Sequence, residues 1–440
     1  IAERPAMVSC FKLTGYLVVL FPVLLAAWVA LLMNVFKPIH AKDACDNHNT
    51  QSRSTPTLPG LPYECGWHEI RPNTTGSRTH VFIQPRGSFC WSNAGLILPP
   101  QKVKLGGFLV DTLTEPTLTH NMLLDRPEAS CPGGQHLLQG VLYTHPDVDH
   151  FLGDQVIDDS VPRYGRQALN DEIGALKGTK PKLVAASLIG HAIWAAAEAA
   201  DWRAWVGKVP AGKARDILLM VVGWGWMQSR LAVFRFGEVD VDRMKGVTNV
   251  IDSETEKVKV DGIADMTVRY YGAIHSKSDS MVYLPSERVV FAGDLLFIGI
   301  APVMWAGPAA KWSDALSDLI KRTGDDWLFV PGHGPVTDLT GVQLVKEYFD
   351  YVHKAVTERC TPSDEKQDLD CAYKLLEGLP KQLREAFSEP QRILITAQVE
   401  CMTRRKGGSI QVELPTKVKL LAAQGEYAVR ELVGMVKHAS

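Results

Sequence analysis

The stretch YTHPDVDHFLGD, residues 143–154, sets two histidines and two aspartates within six residues: His145, Asp147, Asp149 and His150. Imidazole nitrogen and carboxylate oxygen are the donors that zinc and related divalent ions take in catalytic sites. Three residues of the same kinds recur downstream, each at the end of an apolar or strand-like run: His275 after TVRYYGAI, Asp294 after VVFAG and His333 after WLFVPG. A sheet would bring such run ends to one edge. Donors so widely scattered suit a catalytic site assembled from strand ends. A structural zinc site would use closely spaced cysteines, and none of the eight cysteines forms a C-x-x-C pair. Adjacent side chains such as those of Asp149 and His150 point in different directions, so the loop can serve two ions. Two ions about 3.5–4 Å apart can share a water and lower its pKa toward neutrality, which makes a hydroxide nucleophile.

For that site to form, the runs must be strands with their ends together. HVFIQP, FCWSNAGLIL, GGFLVDT and LLQGVLYTH are rich in branched and aromatic residues and broken by Gly, Pro or polar clusters, which predicts strands. EPTLTHNMLLD reads as a helix between the third and the fourth. KVKVDGIADMTVRYYG and MVYLPSERVVFAGD predict strands again, the second a hairpin turning at Pro285–Arg288. From Gly341 onward, apolar residues at steps of three and four predict helices. Between about residues 170 and 239, Ala-rich and apolar segments predict a helical insert holding five of the eleven tryptophans: Trp194, Trp202, Trp205, Trp224 and Trp226. Such a stripe is read first as helices packed on the core, and second as a lid or an apolar substrate wall.

THPDVDH at Thr144 to His150, with His275 in GAIHSKSD, Asp294 in FAGD and His333 in VPGHGP, resembles the metallo-β-lactamase superfamily, whose defining loop is T-H-x-H-x-D-H with scattered downstream ligands. The resemblance covers roughly residues 81–352, includes NAGLIL, GGFLVDT and PVMWAGP, and is expected to extend to the helical tail. It implies an α/β (α+β) fold, a four-layer αβ/βα sandwich, carrying here a helical insert and a helical C-terminal extension. It also implies one or two zinc ions, with iron or manganese as alternatives. The first ion would take His145, a second histidine and His275; the second would take Asp149, His150 and His333, with Asp294 bridging. Asp147 stands where the family has that second histidine. Its reach is shorter and it adds negative charge, so it either binds the first ion with altered preference, leaves the first site empty, or marks a chain that has lost catalysis. The intact remaining ligands favour an active metallohydrolase.

In that resemblance Asp149 both binds metal and orients the attacking hydroxide. Asp279 is expected either to accept a hydrogen bond from a ligating imidazole or to cap a turn, and Trp305 either to wall the pocket or to pack beneath it. The expected reaction is hydrolysis of an amide, lactone or (thio)ester bond in a small, apolar substrate. The alternatives are a membrane-tethered binding protein without catalysis and an iron-dependent dioxygenase. No G-x-S-x-G competes as a nucleophile motif, and a net charge of −2 excludes nucleic acid as an expected partner.

Residues 13–36 run without a charge and exceed in length what a bilayer's hydrocarbon core requires. They predict a single-pass membrane anchor, with a cleaved signal peptide as the alternative. Residues 1–12 would flank it, 37–62 form a stalk, 63–360 the metallo-β-lactamase-like domain and 361–440 the helical extension. An N-x-T pattern at Asn73 and the placement of the cysteines suggest a lumenal or extracellular body. Seven cysteines after the apolar run leave at least one unpaired within the chain.

Overall fold

A computed structural model describes most of residues 63–432; residues 1–57, 72–75, 85–90, 128–137, most of 200–238 and 433–440 lie outside the described residues. In the first half, β1 (Gly66–Arg71), β2 (Arg78–Ile83), β3 (Ala94–Leu98) and β4 (Phe108–Val110) pair antiparallel in chain order. The sheet continues in parallel through β5 (Gly140–Leu142), β6 (Arg163–Gly165) and β7 (Asn249–Val250). In the second sheet β8 (Thr255–Val258), β9 (Met266–Gly272), β10 (Asp279–Leu284) and β11 (Val289–Phe297) pair antiparallel, and β12 (Leu328–His333) joins β11 in parallel.

Helices cover both sheets. After β4 comes α1 (Pro116–Leu124), after β5 the single turn α2 (Val148–Phe151), and α3 (Gln167–Ala199) begins where the insert is expected. The second half carries α4 (Ala309–Arg322), α5 (Leu339–Arg359), α6 (Glu365–Glu377), α7 (Lys381–Ala386), α8 (Ile393–Lys406) and α9 (Leu414–Leu432). Cys360 and Cys371 form a disulfide that ties the end of α5 to α6, while Cys401 is free and buried.

Side chains alternate across a strand, and here the alternation separates three apolar layers. Val81 and Ile83 of β2, Ile97 of β3, and Val282 and Leu284 of β10 meet between the two sheets. Phe82, Leu96 and Leu98 turn outward onto Leu118 and Met122 of α1 and Leu169 and Ile173 of α3. Met281 and Tyr283 turn the other way, onto Trp312 and Leu316 of α4 and Phe349 of α5. The order is helix, sheet, sheet, helix, a mixed α/β sandwich as expected. Burial of both sheet faces explains why these strands read as continuous apolar runs.

One expectation is corrected. No helix among the described residues is long and apolar enough to cross a membrane. The longest, α3, carries Asp171, Glu172, Lys177, Lys180 and Lys182, and ionised groups are costly in hydrocarbon. A single-pass membrane anchor therefore has no support among the described residues. The run at 13–36 that suggested the anchor lies outside the described residues, as do Trp202, Trp205, Trp224 and Trp226.

Candidate metal centre

The predicted donors converge at one edge of the sandwich. His145 follows β5, His275 follows β9 and His333 is the last residue of β12. Asp294 departs from the expected pattern: it lies inside β11, not at its end. The register with β12 shifts on both sides of Gly293, whose φ is 51°. This irregularity turns Asp294 into the site, as bulges re-aim side chains elsewhere. Glycine is required here, because a Cβ at Gly293 would stand 2.6 Å from Thr144 Oγ1, and one at Gly332 would stand 1.9 Å from Asp294 Oδ1.

Asp294 is the hub. Its Oδ2 lies 3.2 Å from His275 Nε2, 3.1 Å from His333 Nε2 and 3.7 Å from His145 Nε2, and its Oδ1 lies 3.1 Å from His150 Nε2. Around it stand two groups whose donor atoms lie close enough to share an ion, His145, Asp147 and His275, and Asp149, His150 and His333; among the described residues a third such group joins Asp111 to His145 and His150. The loop does serve both groups, but the division falls between Asp147 and Asp149. Pro146 biases His145 toward extended backbone. Asp147 is the extended N-cap of α2, at φ −90° and ψ 144°, yet its carboxylate caps no helix amide. Instead Oδ2 takes a 2.8 Å contact from His275 Nε2. Asp149, inside α2, reaches His333 Nε2 at 3.2 Å.

The far nitrogens of three rings are already committed. His145 Nδ1 meets Thr144 Oγ1 at 2.9 Å, His150 Nδ1 meets Asp111 Oδ2 at 3.0 Å, and His275 Nδ1 meets the Val303 carbonyl at 2.7 Å. Such contacts fix ring orientation and leave Nε2 facing the centre. His333 is held by packing: Phe297 stacks on it at 4.9 Å and Trp91 meets it edge-on at 4.5 Å. His145 Nε2, His150 Nε2 and Asp294 Oδ1 are buried without a hydrogen-bond partner. Orphaned buried donors and acceptors are costly unless something else occupies them, and a divalent cation taking nitrogen and oxygen lone pairs fits this set.

Electrostatics follow the same geometry. Burial raises the Asp294 carboxyl, but the surrounding imidazoles, His333 and His150 foremost, hold it well below the usual range. Burial lowers His275, but Asp294 and the Asp147 contact push it up to about 9. Burial and the neighbouring His150 hold His145 below its ordinary value. Burial raises Asp147; Lys417 and the hydrogen bond to His275 more than reverse this and hold it below the usual carboxylate range.

Asp279 does not touch an imidazole. Its carboxylate accepts from the backbone amides of Ile274 at 2.9 Å and Ser276 at 3.0 Å and from Ser276 Oγ at 2.7 Å, clamping the loop on either side of His275. Trp305 is half-buried, and its backbone amide donates to the His275 carbonyl at 2.8 Å. Two positioning residues escaped the sequence reading. Asp111, just after β4, accepts from Thr144 N and Thr144 Oγ1, both at 2.7 Å, besides meeting His150. It does so from left-handed backbone, φ 59°, which is uncommon outside glycine and tolerated best by Asn and Asp. Asn93 Nδ2 donates to the carbonyls of Pro331 and Gly334, pinning the turn that carries His333. An aspartate directly after an apolar run, as in GGFLVDT, was the available signal for the first; Asn93 had none.

No family model matches the chain. The 2,4-dinitroanisole O-demethylase subunit alpha of Nocardioides sp. (strain JS1661) is 31% identical over 87 residues, 20% of this chain and 26% of that protein. The chain thus aligns with about a quarter of the length of this relative. Among solved structures, the sec-alkylsulfatase Pisa1 from Pseudomonas sp. superposes at a TM-score of 0.45 with 14% identity, covering 84% of this chain and 54% of that one. The metallo-β-lactamase FIM-1 from Pseudomonas aeruginosa, in its mono-zinc form, superposes at 0.39 with 14% identity, over 66% and 97%. Of these two structures one is named a sec-alkylsulfatase and the other a metallo-β-lactamase. At these scores the likeness says nothing of chemistry, which rests on the donors themselves.

Proposed function

We propose that this chain is a metal-dependent hydrolase of the metallo-β-lactamase type that cleaves an amide, lactone or (thio)ester bond in a small, apolar substrate. The observation that supports the reading is the convergence of seven imidazole and carboxylate side chains on one edge, with Nε2 of His145 and His150 buried and facing Asp294 without a hydrogen bond. His145, Asp147 and His275 would hold one ion and Asp149, His150 and His333 a second, with Asp294 between them. When bound, such ions polarise a carbonyl and acidify water. The chain's own side chains do the rest. Thr144, Asp111 and the backbone carbonyl of Val303 fix the rings, Asp149 would accept a hydrogen bond from the attacking water, and Trp91 and Phe297 pack about His333. Trp305, beside the His275 loop, offers an apolar wall to substrate.

A second reading has one observation in its favour. Each group is two histidines and one carboxylate, the donor set that non-haem iron oxygenases use. One experiment separates the readings. Elemental analysis of the full-length chain is expected to give one or two zinc ions, depleted in His150→Ala, with hydrolysis of model lactones or thioesters. Iron with oxygen uptake would establish the second reading. A well-folded chain that binds no metal would overturn both and favour a binding protein.

A further inference from the structure

We propose that Lys417, from the C-terminal helix α9, is part of the metal centre: together with Asp147 it forms an ion pair that stands in for the histidine missing from the loop. The inference rests on the metal-centre reading above and concerns a residue outside the motifs that carry the resemblance.

The carboxylate of Asp147 faces two ways. Its Oδ2 meets His275 Nε2 at 2.8 Å inside the first group, while Lys417 Nζ lies 4.0 Å from Oδ1. One oxygen is thus available to an ion and the other to a cation of the chain. Lys417 Nζ also lies 5.0 Å from the centre of the Trp305 ring, a cation–π contact that holds the long side chain over the site. The arrangement is braced through the backbone. Trp305 N donates to the His275 carbonyl at 2.8 Å, and Val412 N donates to the Trp305 carbonyl at 2.9 Å. An isolated antiparallel bridge between Ala306 and Gln411 runs alongside. The segment leading into α9 is therefore seated on the loop that carries His275, and Lys417 follows one helical turn later, its amide bonded to the Glu413 carbonyl at 2.9 Å.

The chemistry explains why a lysine belongs there. A group of three imidazoles is neutral, whereas exchanging one for aspartate adds a negative charge beside Asp294 and Asp149, which already share the centre. Like charges gathered in a partly buried site repel. A lysine on the outer oxygen restores the charge of the neutral ligand and keeps Asp147 aimed inward, as outer partners of metal ligands do.

The test is a double-mutant cycle on the full-length chain, read as zinc affinity against a chromophoric chelator and as ions per chain. Lys417→Met, which keeps length and apolar contact, is expected to weaken the weaker zinc site about 10-fold, and Lys417→Arg to retain it. In an Asp147→His background, where no charge needs balancing, Lys417→Met is expected to change affinity by less than about 2-fold, the cycle reporting the coupling. Equal losses in both backgrounds would overturn the inference and leave Lys417 a packing residue. So would unchanged zinc affinity with a raised KM for anionic substrates alone. If neither the parent nor Asp147→His binds zinc, the metal-centre reading itself fails, an outcome distinct from either of these.

Discussion

The two donor groups are alike in composition and unlike in support. Each is two histidines and an aspartate around Asp294. The group of Asp149, His150 and His333 is fixed by parts of the sandwich that the resemblance covers: Asp111 behind His150, Ser92 Oγ donating to the Asp149 carbonyl at 2.7 Å, and Phe297 beneath His333. The group of His145, Asp147 and His275 draws on the Val303 carbonyl and the backbone of Trp305, which the resemblance also covers, and on Lys417 of α9. The contrast teaches that two donor groups of the same composition can be held by different means: residues in and beside the two sheets for one, backbone carbonyls and a C-terminal helix for the other.

Removing one ligand from each group is the strongest way to break the comparison. His150→Ala is expected to cost on the order of 10³-fold in kcat/KM, about 4 kcal/mol of transition-state stabilisation, with loss of metal by elemental analysis. For Asp147→Ala the expected loss is smaller, on the order of 10²-fold with one ion retained; equal losses for the two would show that neither group works alone. Asp111→Asn keeps the shape and tolerates left-handed backbone but removes the charge behind His150. A zinc titration should show affinity falling about 10-fold to 100-fold at the second group and little change at the first. The smallest effect belongs to Asp279→Ala, which strips the clamp from the His275 loop. Denaturant unfolding is expected to show a loss of about 1–3 kcal/mol, with zinc stoichiometry unchanged.

How much of this was legible in the sequence depended on whether a residue's role is local. His145, Asp147, Asp149, His150, His275 and His333 were visible because each interrupts an apolar context where a polar side chain needs a reason. Asp294 was found for the same reason but misplaced, since nothing in VVFAGDLLF marks the shift at Gly293 that lets a strand continue past its ligand. The apolar runs foretold the strands, because burial of both sheet faces leaves a continuous apolar signal; the sandwich was expected from the resemblance. Asp111 and Lys417 were invisible as partners: one follows an apolar run, the other sits in an ordinary helical tail, and their roles exist only across the fold. The membrane anchor shows the opposite hazard, an inference from composition alone that no helix among the described residues supports.

The distribution of the ligands along the chain also sets a schedule. His145 to His150 emerge early during synthesis, but His333 ends the last strand of the second sheet, and the group of Asp149, His150 and His333 is incomplete until that strand has paired with β11. Contacts of such long sequence separation form late in folding. Of the two donor groups, the one that includes His333 is therefore the later to be assembled, and the group that ends at His275 needs no residue of that strand.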